Sequence, residues 1–272
     1  MTLSKAYTDY AVTIHAKTAQ AGGAVSCDGV SEVGLSHDPA LAVEAADGSP
    51  YGSFGALVGG GARLRWTTSD LKALLDAVGL AGLLIDSDGS HPGIVAYGQK
   101  YAEGGTRATG SVHLSATIGA GIAVPRSLEL PQQGFARVTA EAIATSPTGI
   151  APVAFSEVAA LPTGVYPTVA VAWGLGKVML NATQLSGITG VSIDFGIDVF
   201  AEAKDGDLYP SFASIRRIQP TITLATLHAE QVEQIVTHTL DYYAATQVVI
   251  YARKRAEGGL FVADATAEHI KI

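Results

Sequence analysis

Apolar and polar positions alternate most cleanly in "VSIDFGIDVFAE". There Val191, Ile193, Phe195, Ile197 and Val199 share one side, with Ser192, Asp194 and Asp198 on the other. A period of two predicts a strand with one face buried. The following "SFASIRRIQPTITL" also alternates, but Ile215 and Ile218 fall on opposite parity, which predicts a bulge at Arg216-Arg217. Between these segments lies "EAKDGDLYPSF", whose Asp205-Gly206 suits a hairpin turn: Asp bonds nearby backbone and Gly accepts positive φ. A turn centred there sets Asp194 opposite Arg217.

The same eleven letters are nearly repeated 158 positions earlier as "EAADGSPYGSF", with Asp47-Gly48 at the turn. Seven positions agree, from Glu44/Glu202 to Phe54/Phe212 and including Tyr51/Tyr209, where unrelated segments would share about one. At this offset Val33 and Leu35 fall on Val191 and Ile193, Leu57 on Ile215, Leu64 on Ile222 and Thr68 on Thr226. A helical pattern follows each copy. In "TTSDLKALLDAVG" Thr68 or Ser69 caps, Asp70 favours the positive N-terminal end, Leu71, Leu74, Leu75 and Val78 form a stripe, and Gly79 stops it. In "TLHAEQVEQIVTHTL" the stripe is Val232, Ile235, Val236 and Leu240.

A second echo follows each helix, "KYAEGGTR" (Lys100, Glu103, Arg107) and "KRAEGGLF" (Lys254 to Phe261). Two-residue turns at Gly104-Gly105 and Gly258-Gly259 pair Tyr97 with Val112, Val95 with Leu114, Ala96 with His113 and Lys100 with Thr109. In the second copy they pair Arg253 with Asp264 and Tyr251 with Thr266. "YAVTIHAKT" from Tyr10 and "FARVTAEAIAT" from Phe135 suggest where the copies begin. The turn-rich "PRSLELPQQG" places the boundary near Pro125 to Gly134. The expected fold is mainly β: two related sandwich or barrel domains in tandem, 1–128 and 129–272, each with one short helix and long hairpins.

Composition agrees with a folded, strand-rich chain: 48% hydrophobic, 15% charged, 31 glycines and 11 prolines in 272 residues. The N-terminus lacks the apolar stretch of a secretory signal, and the longest apolar run, Ala77 to Ile85, falls short of the roughly 18 residues a membrane span needs. The lone Cys27 cannot close an internal disulfide. A formal net charge of −8 disfavours tight nucleic-acid binding, and the densest basic spots, Arg216-Arg217 and Arg253-Lys254-Arg255, lie within strand patterns.

Each candidate chemical motif lacks a necessary part. Two related β lobes suggest an aspartic protease, but Asp47-Gly48-Ser49 and Asp205-Gly206-Asp207 lack the hydroxyl residue between Asp and Gly. Ser69-x-x-Lys72 lacks the partner motifs of Ser/Lys enzymes, and the Asp86 to Gly89 stretch "DSDG" lacks the downstream glutamate of a calcium loop. Seven histidines show no metal spacing, the glycine pairs Gly119/Gly121 and Gly174/Gly176 lack the full phosphate-loop pattern, and Asn181 begins a sequon relevant only to a secreted chain. No catalytic, cofactor or metal residue is expected.

"VSIDFGIDVFAEAKDGDLYPSFASIRRIQPTITL" and the closing "QVVIYARKRAEGGLFVADATAEHIKI" resemble, in style, the tail tube proteins of long-tailed bacteriophages. The resemblance implies a structural virion protein, assembled in the host cytoplasm. Its hairpins would join those of neighbouring copies into a β-barrel through which DNA passes. Under it the ring hairpins would carry Tyr97, Lys100, Glu103, Arg107, Asp194, Asp198, Arg216, Arg217, Tyr251, Arg253, Arg255 and Asp264. The partners implied are further copies, the tape measure, tail terminator and tail tip proteins, and passing DNA, with no membrane. A chain with two tube domains resembles the minority of tube proteins whose rings are trimers with pseudo-sixfold symmetry; three chains at −8 each bring −24 to such a ring. A capsid decoration or tail-associated trimer is the alternative, and a two-lobed hydrolase a remote one.

Overall fold

A computed structural model describes residues 7–15, 24–27, 29–45, 52, 54–86, 92–100, 113–149, 151–162, 172–180, 183–204, 206–228, 230, 248–255 and 269–272. The first half contains β1 (Tyr7–Ile14), β2 (Val25–Cys27), β3 (Val30–Glu44), β4 (Phe54–Thr68), helix α1 (Leu71–Val78), β5 (Leu83–Asp86), β6 (Ile94–Lys100), β7 (His113–Ile118), β8 (Ala120–Pro131), β9 (Arg137–Ala144) and β10 (Ala154–Val158). The second contains β11 (Trp173–Leu180), β12 (Thr183–Leu185), β13 (Ile188–Asp194), β14 (Ile197–Glu202), β15 (Phe212–Ile218), β16 (Thr221–Thr226), β17 (Val248–Lys254) and β18 (His269–Lys271).

The architecture is mainly β, built from curled antiparallel sheets that make a half-barrel. One sheet runs β3-β4-β9-β8-β13-β16, with β5 added against β8; a second runs β10-β7-β6-β1-β2 and a third β12-β11-β17-β18. Strand alternation decides what the six-stranded path buries. Leu64 and Trp66 of β4, Val138, Ala140 and Ala142 of β9, Leu128 and Leu130 of β8, and Val191 and Ile193 of β13 form one apolar face. It packs on Val12, Ile14 and Ile94 of the second sheet and on Trp173, Val178 and Ile250 of the third. Burying each of these larger aliphatic side chains stabilises the fold by roughly 1.5–3 kcal/mol.

Helix α1 closes one end of this core with Leu71, Leu74, Ala77 and Val78 buried, while Leu75 is only partly so. Its cap is Asp70, not Thr68 or Ser69. The Asp70 carboxylate accepts from the Ala73 N–H at 3.1 Å, and the Thr68 hydroxyl accepts from the Asp70 N–H at 3.0 Å. The Thr68 and Asp70 side chains thus satisfy two amides between them. Gly79, at φ +73°, ends the helix by donating to the Leu75 carbonyl. The second predicted helix lies almost wholly outside the described residues.

The two Asp-Gly stretches both join antiparallel strands, β3 to β4 and β14 to β15. Every residue pair joining β13 to β16 and β14 to β15 recurs between β3 and β4 when 158 is subtracted: Ile188↔Thr226 matches Val30↔Thr68, Asp198↔Arg217 matches Ala40↔Gly59, and Glu202↔Phe212 matches Glu44↔Phe54. Both irregularities recur as well, at Val30/Glu32 with Ile188/Gly190 and at Ala40/Leu41 with Asp198/Val199. The predicted bulge is therefore present, with Arg216 as the extra residue and Val58 in the same place on β4.

The hairpins differ at one point. β3 and β4 are each unbroken, whereas the second hairpin breaks at Phe195-Gly196 and Gln219-Pro220, separating β13–β16 from β14–β15. Gly196 adopts φ +56°, and a Cβ there would stand 1.9 Å from the Gln219 carbonyl oxygen, so only glycine fits this kink.

Other expected registers are corrected. Tyr97 lies opposite Ser115, Val95 opposite Thr117 and Ala96 opposite Ala116, a shift of three residues from the register of a two-residue Gly104-Gly105 turn; Thr109, the expected partner of Lys100, lies outside the described residues. The observed register sets Ile94 and Ala96 beside Ile118 and Ala116, all buried. Arg253 lies opposite His269 and Tyr251 opposite Lys271, five residues from the expected Asp264 and Thr266. The Phe135 echo is not the counterpart of the β1 region. β9 pairs with β4 and β8, whereas β11 repeats the pairing of β1: Trp173↔Lys254 matches Tyr7↔Lys100, and Leu180↔Val248 matches Ile14↔Ile94. β8 runs through the expected 128/129 division.

Candidate functional site: hairpin arms and open sheet edges

The six-stranded path presents its second face outward. Glu32 and Ser36 of β3, Arg63, Arg65 and Thr67 of β4, Arg137 and Glu141 of β9, Ser127 and Glu129 of β8, and Ser192 and Asp194 of β13 alternate with the buried residues, and Thr139 of β9 is buried among them. Charges of both signs interleave here. Glu141, only 13% exposed, accepts from Arg126 Nε at 2.6 Å and lies 3.6 Å from Arg63. A second Arg126 nitrogen donates to the Ile197 carbonyl just past the kink, so one guanidinium ties β8, β9 and β14 together. Sequence reasoning missed Arg126 and Glu141, because their meeting depends on strand pairing across 15 residues and no local spacing signals it.

Asp194 does not face Arg217. It ends β13 opposite Thr221 and Ser127, and its Oδ1 accepts from the Gly196 N–H at 2.9 Å, so it supports the kink. Asp198, four residues on, is the residue opposite Arg217. The expected pairing assumed the shortest turn through Asp205-Gly206, while the chain uses the longer stretch between Glu202 and Phe212. Within it Gly206 has φ +85°, and the Asp207 N–H donates to the Lys204 carbonyl at 2.9 Å. Arg216 bulges out and stacks its guanidinium 4.7 Å from the centre of the Phe200 ring.

Tyr97, Tyr251, Arg253 and Lys100 lie half-buried on β6 and β17, and the Lys100 N–H donates to His113 Nδ1 at 3.3 Å. Arg255 anchors the end of β17: its Nη2 donates to the Gln132 carbonyl at 2.8 Å and its backbone N–H to the Ala172 carbonyl. Glu103, Arg107, Asp264, Asp47, Gly48 and Asp205 lie outside the described residues.

The loop after Gly206 meets the first hairpin. Tyr209 hydroxyl lies 2.9 Å from His37 Nε2, and its ring approaches Gly60, where an added Cβ would stand 3.1 Å from it. Tyr209 belongs to the repeated stretch, the one sequence signal that pointed to it. Around the pair is an open hollow of about 240 Å³ lined mainly by Leu35, Ala62, Pro152, Val153 and Phe155, apolar and without converging carboxylates. Among the described residues no group of three His, Cys, Asp or Glu side chains is placed to hold a metal, and no helix is long and apolar enough to cross a membrane.

The sheet order has a direction. Its pairing is antiparallel throughout, so β3 and β13 run the same way and the matched hairpins follow one another as β3-β4, then β13-β16, with β9-β8 between. Among the described residues the path ends in two unlike open edges, β3 at one end and β16 at the other. Leu35 is 36% exposed and Ile222 43%, both on the apolar side of these edges. No protein-family model matches the chain, and no curated protein matches its sequence.

Proposed function

We propose that this chain is a structural virion protein, the subunit of a phage tail tube, whose copies close into rings that stack around a channel crossed by DNA during ejection. The observation that supports this best is the head-to-tail order of two register-matched hairpins in one sheet, ending in two different open edges. Units related in that way, unlike a two-fold pair, leave complementary surfaces at both ends; repetition closes into a ring if the rotation permits, and a closed barrel removes the exposed edges. Recurrence of the register, both bulges included, favours an internal duplication, and the β1-β6 and β11-β17 correspondence extends it beyond the hairpins. Three chains with two units each then make a pseudo-sixfold ring.

In this reading the polar face carrying Arg63, Arg65, Arg137, Glu129, Glu141 and Asp194 lines the channel. Its mixed charge offers passing DNA no long basic track to adhere to. The acidic excess of the chain therefore resides mostly elsewhere. The function is mechanical, with no reaction and no cofactor. The partners are other copies along the tube, the tape measure protein within it, and the terminator and tip proteins at its ends. The protein assembles in the host cytoplasm and resides in the virion tail. Cryo-electron microscopy of the purified protein tests the proposal. Annular or tubular particles with threefold and pseudo-sixfold symmetry are expected, and compact trimers that do not stack would favour a capsid decoration role instead.

A further inference from the structure

The two hairpins share a register but not an environment. On the second, Val199, Ala201, Ala213 and Ile215 pack against the hydrophobic core, with Ile215 close to Gly82 beside Val124. Their counterparts on the first, at the same offset of 158, are Leu41, Val43, Gly55 and Leu57. There Leu41 is 67% exposed and Val43 65%, with the bulge residue Val58 nearby at 58%. From Phe54 to Gly61 β4 pairs with no described strand except β3, and among the described strands β3 pairs only with β4. The result is a two-stranded arm whose core-type face is bare where its twin is covered.

We propose that the outer half of this arm, Ala40–Glu44 with Phe54–Gly59, is a clasp for a second copy of the chain, which covers Leu41 and Val43 as the chain's own core covers Val199 and Ala201. This deepens the ring reading and rests on its head-to-tail order for the choice of partner. Three observations favour a second copy. The arm's equivalent place against β8 is already taken by β14 and β15, held there by the Arg126 bond to the Ile197 carbonyl, so the arm cannot use it within its own chain. The opposite edge offers Ile222, partly exposed on the matching apolar side. Each copy carries −8, so contact between copies must overcome repulsion, and this stretch is apolar with Glu44 as its only charged residue.

The full-length protein tests this in two ways. In Leu41→Cys, the introduced thiol is the exposed one, since native Cys27 is buried. Its maleimide labelling rate is compared between assembled protein and protein dissociated by dilution. Protection of at least about tenfold on assembly is expected. Separately, Leu41→Asp with Val43→Asp leaves the thermal unfolding of the dissociated chain unchanged and weakens association, read by mass photometry, at least about tenfold. Equal labelling in both states, or wild-type association of the double variant, overturns the clasp. Rings that form with the introduced thiol freely reactive would refute the clasp and leave the ring standing. A protected thiol in an oligomer that is not a ring would do the reverse. Wild-type protein that stays monomeric at high concentration would sink both.

Discussion

Gly196→Ala tests whether the kink that separates the two hairpins is a backbone property. Gly196 sits at φ +56°, where an L-residue loses about 1–2 kcal/mol, partly offset by the roughly 0.4–1 kcal/mol that alanine gains by restricting the unfolded chain. The added Cβ would lie 1.9 Å from the Gln219 carbonyl oxygen, which is backbone and cannot swing aside. Relief requires the strands to part, which weakens the Gln219 N–H to Gly196 carbonyl bond of 3.1 Å, worth about 0.5–1.5 kcal/mol, and disturbs the buried neighbours Phe195 and Ile197. Together these terms give a destabilisation of about 0.5–3 kcal/mol, to which the disturbed packing of Phe195 and Ile197 adds. Urea unfolding followed by tryptophan fluorescence measures it, since Trp66 and Trp173 are both buried in the native core. The control is Asp38→Ala, the equivalent position on the unbroken hairpin, where Asp38 is exposed and the expected change is below about 0.5 kcal/mol. A Gly196→Ala variant as stable as that control would refute the reasoning, because neither strain nor clash would then be real.

Removing the carboxylate in Glu141→Ala strands the half-buried Arg126 and should cost about 1–3 kcal/mol, whereas Arg63→Ala, on the exposed side of the same group, should cost less than about 0.5 kcal/mol in the same urea titration. Asp70→Ala removes the cap of α1 and lowers the unfolding midpoint by the equivalent of about 1 kcal/mol; an unchanged midpoint would mean that another group caps the helix. Arg216→Ala, which gives up a ring stacking on the surface, should change stability by no more than about 0.5–1 kcal/mol, leaving the bulge intact.

Local physics made much of the chain legible. Alternation from Val191 to Val199 predicted the buried stripe, and broken parity between Ile215 and Ile218 predicted the Arg216 bulge, because an extra residue must appear as a parity change wherever one face is buried. Helix α1 is readable from its spacing and its glycine stop, but its cap is not: Thr68, Ser69 and Asp70 are all chemically competent, and only backbone geometry selects Asp70 over the earlier two. Hairpin registers were less accessible. The tightest turns pair Asp194 with Arg217, Tyr97 with Val112 and Arg253 with Asp264, but loop length is decided by which apolar side chains meet in the core.

Residue order was sufficient for the periodicity, the site of the Arg216 bulge and the existence of two like hairpins, since each of these follows from the pattern along a single strand. It took packing in three dimensions to set the hairpins head to tail in one sheet, to bring Arg126 to Glu141, and to select which of the two apolar stripes is covered. The cause lies in the identical parity of those stripes. A pattern of period two states that a face seeks cover, and it contains nothing about whether β8, a loop or another copy of the chain provides it. Val199 is packed and Leu41 exposed where a glycine at 196 breaks one hairpin, so that its outer half lies on the chain's own core, while its twin runs on unbroken.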